Sequence, residues 1–245
     1  MRSATADLKA RARQALIGKY SIVILAYLLS DIISYGLSAL IPMSITPKRG
    51  WFSSLQLLIC ILIICMLTIL LSVGSNRLYL NIARERPYRI TDIFYCFTYQ
   101  PDRIILLTLR LILVNLVCLL PVFVAAGAVG WFLPARISDT ALFLILSFFF
   151  LLIGAVLLSI NLRYFLVYYL CLDEPQLSTR EIMKKSASLM LGRKKQALWL
   201  LFSFLGMGLL VLLSLGVGIL WVQPYFSMTA ANFYLDVISN SSRGY

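Results

Sequence analysis

The sequence predicts an all-α fold, a polytopic transmembrane helical bundle, and three observations lead to this prediction. Hydrophobic residues make up 61% of the 245 residues and charged residues 13%, whereas soluble domains average roughly 45–50% and about 25%. The mean hydropathy is +0.90. Apolar runs about 20 residues long, the length that crosses a bilayer, follow one another along the chain. We therefore expect a single integral membrane domain over 1–245, covered largely by lipid.

The charge and the missing histidines exclude several functional classes. The net charge is +12, from 22 basic and 10 acidic residues. In a membrane protein such an excess is typical of flanks that face anionic lipid headgroups on the cytoplasmic side. There is no motif for nucleic-acid binding. Without histidine the chain lacks the commonest metal ligand and general base, so we expect no cofactor, no metal and no enzymatic activity.

The apolar runs predict up to six spans. The first carries Asp31 as its only charge, and the third is interrupted by Pro121. The last run contains Gln223 and Pro224 and, read alone, suits an interfacial helix equally well. A turn is expected at 47–50 and a short loop at 134–140. The predicted spans are approximately 20–43, 55–75, 104–133, 141–170, 197–213 and 219–238.

An internal repeat favours the sixth span. Basic stretches end in Gly18-Lys19 before the first span and in Gly192-Arg193 before the fifth, and a shorter relative at 92–100 precedes the third. Each glycine fits a helix C-cap, where positive φ is cheap. We therefore predict three units, each an interfacial elbow helix (approximately 5–18, 92–100 and 179–191) followed by a transmembrane hairpin.

Two elbows begin with similar polar signals. Ser178 and Glu181 have the spacing of a capping box, and Thr91 is the expected N-cap of the preceding elbow. Each signal follows a proline, Pro87 or Pro175, that is expected to end a long helix.

The basic residues also predict the orientation. With the N-terminus inside, all but three of the 22 lie at inner segments, and only Lys48, Arg49 and Arg136 are outside. This is the positive-inside pattern. It predicts a multi-pass protein of the bacterial plasma membrane with both termini in the cytoplasm. A five-span topology moves only Arg243 outside, so charge does not separate five spans from six.

Asp31 is the most informative polar residue. It lies about eleven residues into the first span, roughly mid-membrane, where ionisable groups are costly and usually face a bundle interior or an aqueous cavity. One hypothesis is a proton, cation or polar-substrate site. Another is a structural clamp, with Arg110 or Asn115 in the third span as candidate partners. In a third, the span begins later and Asp31 is shallower.

The inner basic residues are candidate lipid contacts. Arg77 and Arg163 recur at matching places in the second and fourth helices, where they either snorkel to headgroups or line a basic vestibule. The densest patch surrounds the third elbow and is expected to contact anionic lipid or to dock a membrane or cytoplasmic protein. It consists of Lys184, Lys185, Arg193, Lys194 and Lys195.

Three segments in the same order resemble a known family. They are the stretch 8–20, the segments 173–177 and 186–192, and the segment 218–225 with 231–234 beyond it. The chain is similar to an uncharacterised family of bacterial, Firmicutes-type integral membrane proteins, domain of unknown function 975. The resemblance implies a multi-span plasma-membrane protein with no assigned reaction and no catalytic residues to transfer.

Three functional hypotheses remain. The first is a lipid- or partner-binding accessory component of the envelope. The alternative is a small transporter or channel that uses Asp31 as its ion or substrate site. The third is an intramembrane lipid-modifying enzyme, for which no residue spacing gives positive support.

Overall fold

The computed structural model describes residues 2–44, 51–132 and 138–242, and within them it contains helices and no β-strand. This confirms the predicted all-α class. The turn at 47–50, with Lys48 and Arg49, and Arg136 lie outside the described residues. The helices are α1 Arg2–Leu16, α2 Tyr20–Ser44, α3 Trp51–Ala83, α4 Tyr95–Thr98, α5 Pro101–Phe132, α6 Asp139–Arg163, α7 Val167–Asp173, α8 Thr179–Leu189, α9 Lys194–Leu213 and α10 Ile219–Ser242, with a 3₁₀ helix at Ile90–Phe94.

The order of short and long helices repeats three times. Helix α1 precedes the pair α2–α3, the 3₁₀ helix and α4 precede α5–α6, and α8 precedes α9–α10. A residue with positive φ stands just before each pair: Gly18 at +74°, Gln100 at +53° and Gly192 at +78°. The two glycine conformations were predicted from their C-cap positions, whereas Gln100 gave no such signal. We call the end of the bundle where the short helices lie the elbow end.

Within the part of the chain that the structure describes, five segments are long and apolar enough to cross a membrane: Tyr20–Ala39, Phe52–Ala83, Pro101–Trp131, Thr140–Asp173 and Lys194–Leu213. Helix α10 has 24 residues but is not among them, so the sixth span stays a prediction. The second run is predicted to span the membrane over 55–75 and to continue as a helix toward Arg84, and the structure keeps it helical to Ala83. The fourth run is divided at 164–166, between α6 and α7.

The buried core lies in the elbow half of the bundle. On α3, Leu70, Leu78 and Ile82 are buried, whereas Leu58 and Leu62 in the other half are exposed. The most apolar stretch of α6 contains no buried residue. Exposed apolar side chains on so many helices are unfavourable in water and favourable in lipid, which agrees with a multi-pass membrane protein.

The 3₁₀ helix packs directly on α3. A Cβ at Gly74 would lie 1.9 Å from the Ile93 carbonyl oxygen, so only glycine permits this approach. The Asn81 amide donates to the Asp92 carboxylate at 3.2 Å. The N-cap of this helix is Arg89, whose backbone N–H donates to Asp92 at 3.1 Å. The expected N-cap Thr91 is therefore wrong, because the helix begins at Ile90 and its N-cap is Arg89, two residues before Thr91.

Polar contacts join the three units at the elbow end. Arg84 donates to the Asp173 carboxylate, which also accepts from the Tyr234 hydroxyl at 2.6 Å. The Arg103 guanidinium donates to the carbonyls of Glu174 and Leu177 at 2.6 and 2.5 Å. Helices from different units are thereby fixed where their ends meet.

The predicted capping box of α8 is confirmed. The Ser178 hydroxyl accepts from the Glu181 backbone N–H at 3.4 Å, and the Glu181 carboxylate accepts from the Ser178 N–H at 2.7 Å.

Candidate functional site

A polar cavity surrounds Asp31 where α2, α3 and α10 meet. Its volume is about 210 Å³. Leu71 and Tyr79 form a buried wall, whereas Ser72 and Gln223 are exposed at the rim. The polar residues that line it are Tyr27, Ser30, Asp31, Ser34, Thr68, Ser72, Ser75, Asn76, Tyr79, Gln223 and Ser227.

Helical periodicity brings these residues to one place. On α2, the positions 27, 30, 31 and 34 recur at the three- and four-residue spacing of one helix face. On α3, the positions 68, 72, 75, 76 and 79 do the same. Both helices are otherwise strongly apolar, so the two polar stripes are best covered by each other and by α10.

The hydroxyl groups around Asp31 present acceptors to the cavity. Ser30 donates to the Ala26 carbonyl at 2.9 Å, Ser34 to Ser30 at 2.8 Å, and Ser75 to Leu71 at 3.0 Å. A serine hydroxyl has a single hydrogen, so these oxygens can only accept further bonds. Tyr27, four residues before Asp31 on α2, lines the same cavity. The cavity is therefore rich in oxygen acceptors around one carboxylate.

None of the described side chains that line the cavity is basic. The prediction that Arg110 or Asn115 is the partner of Asp31 is wrong. Arg110 donates to the Thr179 hydroxyl, and the Asn115 amide donates to the Leu111 carbonyl on its own helix at 2.8 Å. The physical reason is the helix arrangement, because α5 packs on α3, α4, α6 and α8, while α10 covers α2.

The two matching arginines have different surroundings. The Arg77 guanidinium carbon lies 3.2 Å from the centroid of the Tyr95 ring, and its Nε has no partner among the described residues. Arg163 is exposed, with its guanidinium 5.8 Å from the Tyr164 ring. Of these two arginines, only Arg163 is therefore exposed enough to contact lipid headgroups.

The residues of the basic patch at the third elbow also differ in their surroundings. Lys185 donates to the Glu174 carboxylate at 2.5 and 2.7 Å, and Arg193 lies 3.7 Å from Asp236. Lys184 and Lys195 are exposed and Lys194 is half-buried. Part of the predicted patch thus holds helices together, and the exposed lysines remain candidates for contact with headgroups or a partner.

Sequence reasoning missed most of the cavity. The available signal was the spacing of Ser30, Ser34 and Ser38 on the same helix as Asp31, each four residues from the next. Gln223 and Ser227 on α10 gave no local hint, because their role depends on which helices are neighbours.

The arrangement suits a small cation or a proton. Carboxylate, hydroxyl and amide oxygens are the ligands that hard cations prefer. A carboxylate inside an apolar bundle is costly unless it is paired, protonated or in contact with an ion. The cavity offers Asp31 hydrogen-bond partners but no cationic side chain.

Comparison with known proteins identifies the family. The family model described as a protein of unknown function, DUF975, matches residues 1–241. No curated protein matched the chain, and no solved structure did so either. The match covers almost the whole length that carries the helices described above, and the chain therefore belongs to the DUF975 family of proteins of unknown function.

Proposed function

We propose that this multi-pass membrane protein is a small transporter or channel in which Asp31 binds the transported or coupling cation, a proton or an alkali-metal ion. The observation that supports this function is an acidic cavity between three helices with oxygen acceptors around it and no basic lining residue. A structural clamp is a poorer account of Asp31, since no basic side chain from another helix is among the described residues that line its cavity.

Ion-dependent stability tests the proposal directly. A ligand that binds only the folded state stabilises it by about 2.7 kcal/mol when its concentration is 100 times Kd. Thermal unfolding in nanodiscs would be compared in sodium, potassium and N-methylglucamine chloride at equal ionic strength, and across pH for a proton. We expect one ion, or acidification, to raise the Tm of the wild type and to leave the Tm of Asp31→Asn unchanged.

A matched control is Asp102→Asn, which removes an exposed carboxylate at the start of α5 and should keep the ion response. Flux of the stabilising ion into proteoliposomes should fall at least tenfold in Asp31→Asn. If the wild type shows no ion or proton dependence and Asp31→Asn melts lower under every condition, Asp31 is a clamp and the proposal is wrong.

A second candidate function, lipid binding, is favoured by a separate groove beside α1. This groove of about 310 Å³ is lined by Met207, Trp221 and Val222 together with Lys9 and Arg13. Two basic groups at one side of an apolar groove suit an anionic phospholipid. Co-purified phosphatidylglycerol, measured by mass spectrometry, should decrease in Arg13→Gln, and equal retention would count against this function.

A further inference from the structure

A second, larger cavity lies at the elbow end of the bundle. Its volume is about 470 Å³. Among the residues that line it, Arg11 and Lys19 are basic, and Glu85 and Asp236 are acidic. Asp236 also lies 3.7 Å from Arg193, and Lys19 lies 5.3 Å from the Tyr88 ring centroid. We call this space the elbow cavity.

The elbow cavity continues the faces that line the Asp31 cavity. On α3, the lining positions 72, 75, 76 and 79 of the Asp31 cavity are followed by Ile82 and Ala83, which line the elbow cavity. These positions keep the three- and four-residue spacing of one helix face. Lys19 precedes α2 by one residue and stands eight residues before Tyr27, so the face of α2 also runs from one cavity to the other.

A thin buried layer separates the two cavities. Tyr79 is 4% exposed and Val23, between Lys19 and Tyr27 on the same face, is fully buried. Three residues separate Tyr79 from Ile82, which is about 4.5 Å along a helix. Tyr79 on α3 and Ser227 on α10 both line the Asp31 cavity, so the Tyr79 side chain stands where these two helices face each other.

We propose that the elbow cavity is the mouth of the path to Asp31 and that the Tyr79 side chain is the gate that closes it. The inference rests on the proposed transport function, and it adds the direction from which the ion arrives. The mouth carries two basic and two acidic side chains, so it does not repel a cation overall. Asn232, which is 8% exposed, lines the mouth, and its amide nitrogen has no hydrogen-bond partner among the described residues.

Cysteine accessibility in proteoliposomes tests the gate without requiring transport. The mouth variant Ser239→Cys, labelled from outside with a charged, membrane-impermeant thiol reagent, gives the fraction of molecules whose elbow end faces outward. Ser227→Cys, in the wall of the Asp31 cavity, reports entry into that cavity. Unsubstituted protein gives the background of the five native cysteines.

With Tyr79 in place, Ser227→Cys should be labelled only in molecules whose opposite end faces outward. When Tyr79→Ala is added to Ser227→Cys, molecules whose elbow end faces outward should be labelled as well. The increase in the labelled fraction should equal the fraction measured with Ser239→Cys. Tyr79→Phe keeps the ring and should stay closed. Leu78→Ala is the matched control, since Leu78 is fully buried beside Tyr79 but lines neither cavity.

An unchanged labelled fraction in folded Tyr79→Ala would overturn the gate, and so would an equal rise in Leu78→Ala. Failure of the proposed function is scored separately, by the ion dependence of the Tm. If Tyr79→Ala raises the labelling but the Tm of the wild type depends on neither ions nor pH, the path and the gate stand, and the proposed binding of a cation is refuted.

Discussion

The close approach of the 3₁₀ helix to α3 predicts a large penalty for Gly74→Ala. The added Cβ would lie 1.9 Å from the Ile93 carbonyl oxygen and 2.6 Å from its carbonyl carbon. Ordinary contact begins at 3.4 Å, so the backbone of the 3₁₀ helix must move by about 1.5 Å. That movement withdraws Ile93 and Cys96, both fully buried, from the core.

Three free-energy terms determine whether Gly74→Ala lowers or raises the free energy of unfolding. Overpacking costs about 1–3 kcal/mol, and partial loss of burial of Ile93 adds about 1–2 kcal/mol, since full burial is worth about 1.5–3 kcal/mol. Alanine regains about 1 kcal/mol over glycine within a helix. The net loss is therefore about 1–4 kcal/mol.

The assay is thermal unfolding in detergent, followed by size-exclusion chromatography with fluorescence detection. Gly154→Ala on α6 is the matched control because its new Cβ would meet nothing within 4 Å, and it should melt at or slightly above the wild-type temperature. Equal melting temperatures for Gly74→Ala and Gly154→Ala would refute the reasoning.

Two further predictions concern the elbow helices. Ser178→Ala removes the cap of α8 and should cost about 1 kcal/mol, seen as faster amide exchange in the first turn of α8. Hydrogen bonds from the Ser178 side chain and backbone lower the pKa of Glu181, so the stabilisation from Glu181 is present above the ordinary carboxyl pKa and is lost as pH falls through the lowered value. Protection factors in the first turn of α8 that do not fall in acid would contradict this. Burial, and to a smaller extent Cys171, raises the pKa of the Cys96 thiol to about 12. The unfolded thiol ionises near its ordinary pKa of 9.0. The stabilisation of the folded state by the neutral Cys96 thiol is therefore full below that pH and is lost as pH rises toward 12. At pH 8, a thiol reagent should label Cys96 in the native protein only as fast as the protein unfolds.

Local signals in the sequence were reliable except at Thr91, where the helix begins earlier than expected. Gly18 and Gly192 have the predicted positive φ, and Ser178 and Glu181 form the predicted capping box. Each depends on a few neighbouring residues, whose chemistry determines the backbone there. The repeat of one elbow and two long helices could be found for the same reason.

The surroundings of Asp31 could not be predicted in the same way. Periodicity indicates which residues of α2 share a face, but it does not indicate which helix covers that face. Arg110 and Asn115 lie on α5, whereas α3 and α10 are the helices that cover α2. Ser227 and Gln223 therefore became neighbours of Asp31 through packing alone.

The burial of α10 has a consequence for how the protein is assembled. Phe233, Tyr234 and Val237 are fully buried, and α10 packs against α1, α2, α3 and α9. A helix that other helices enclose needs little affinity for hydrocarbon, so the polar residues of α10 are compatible with the predicted sixth span. As the predicted sixth span, such a helix would have no stable position in a bilayer until the helices around it are in place, so we expect its insertion to accompany or follow theirs during synthesis.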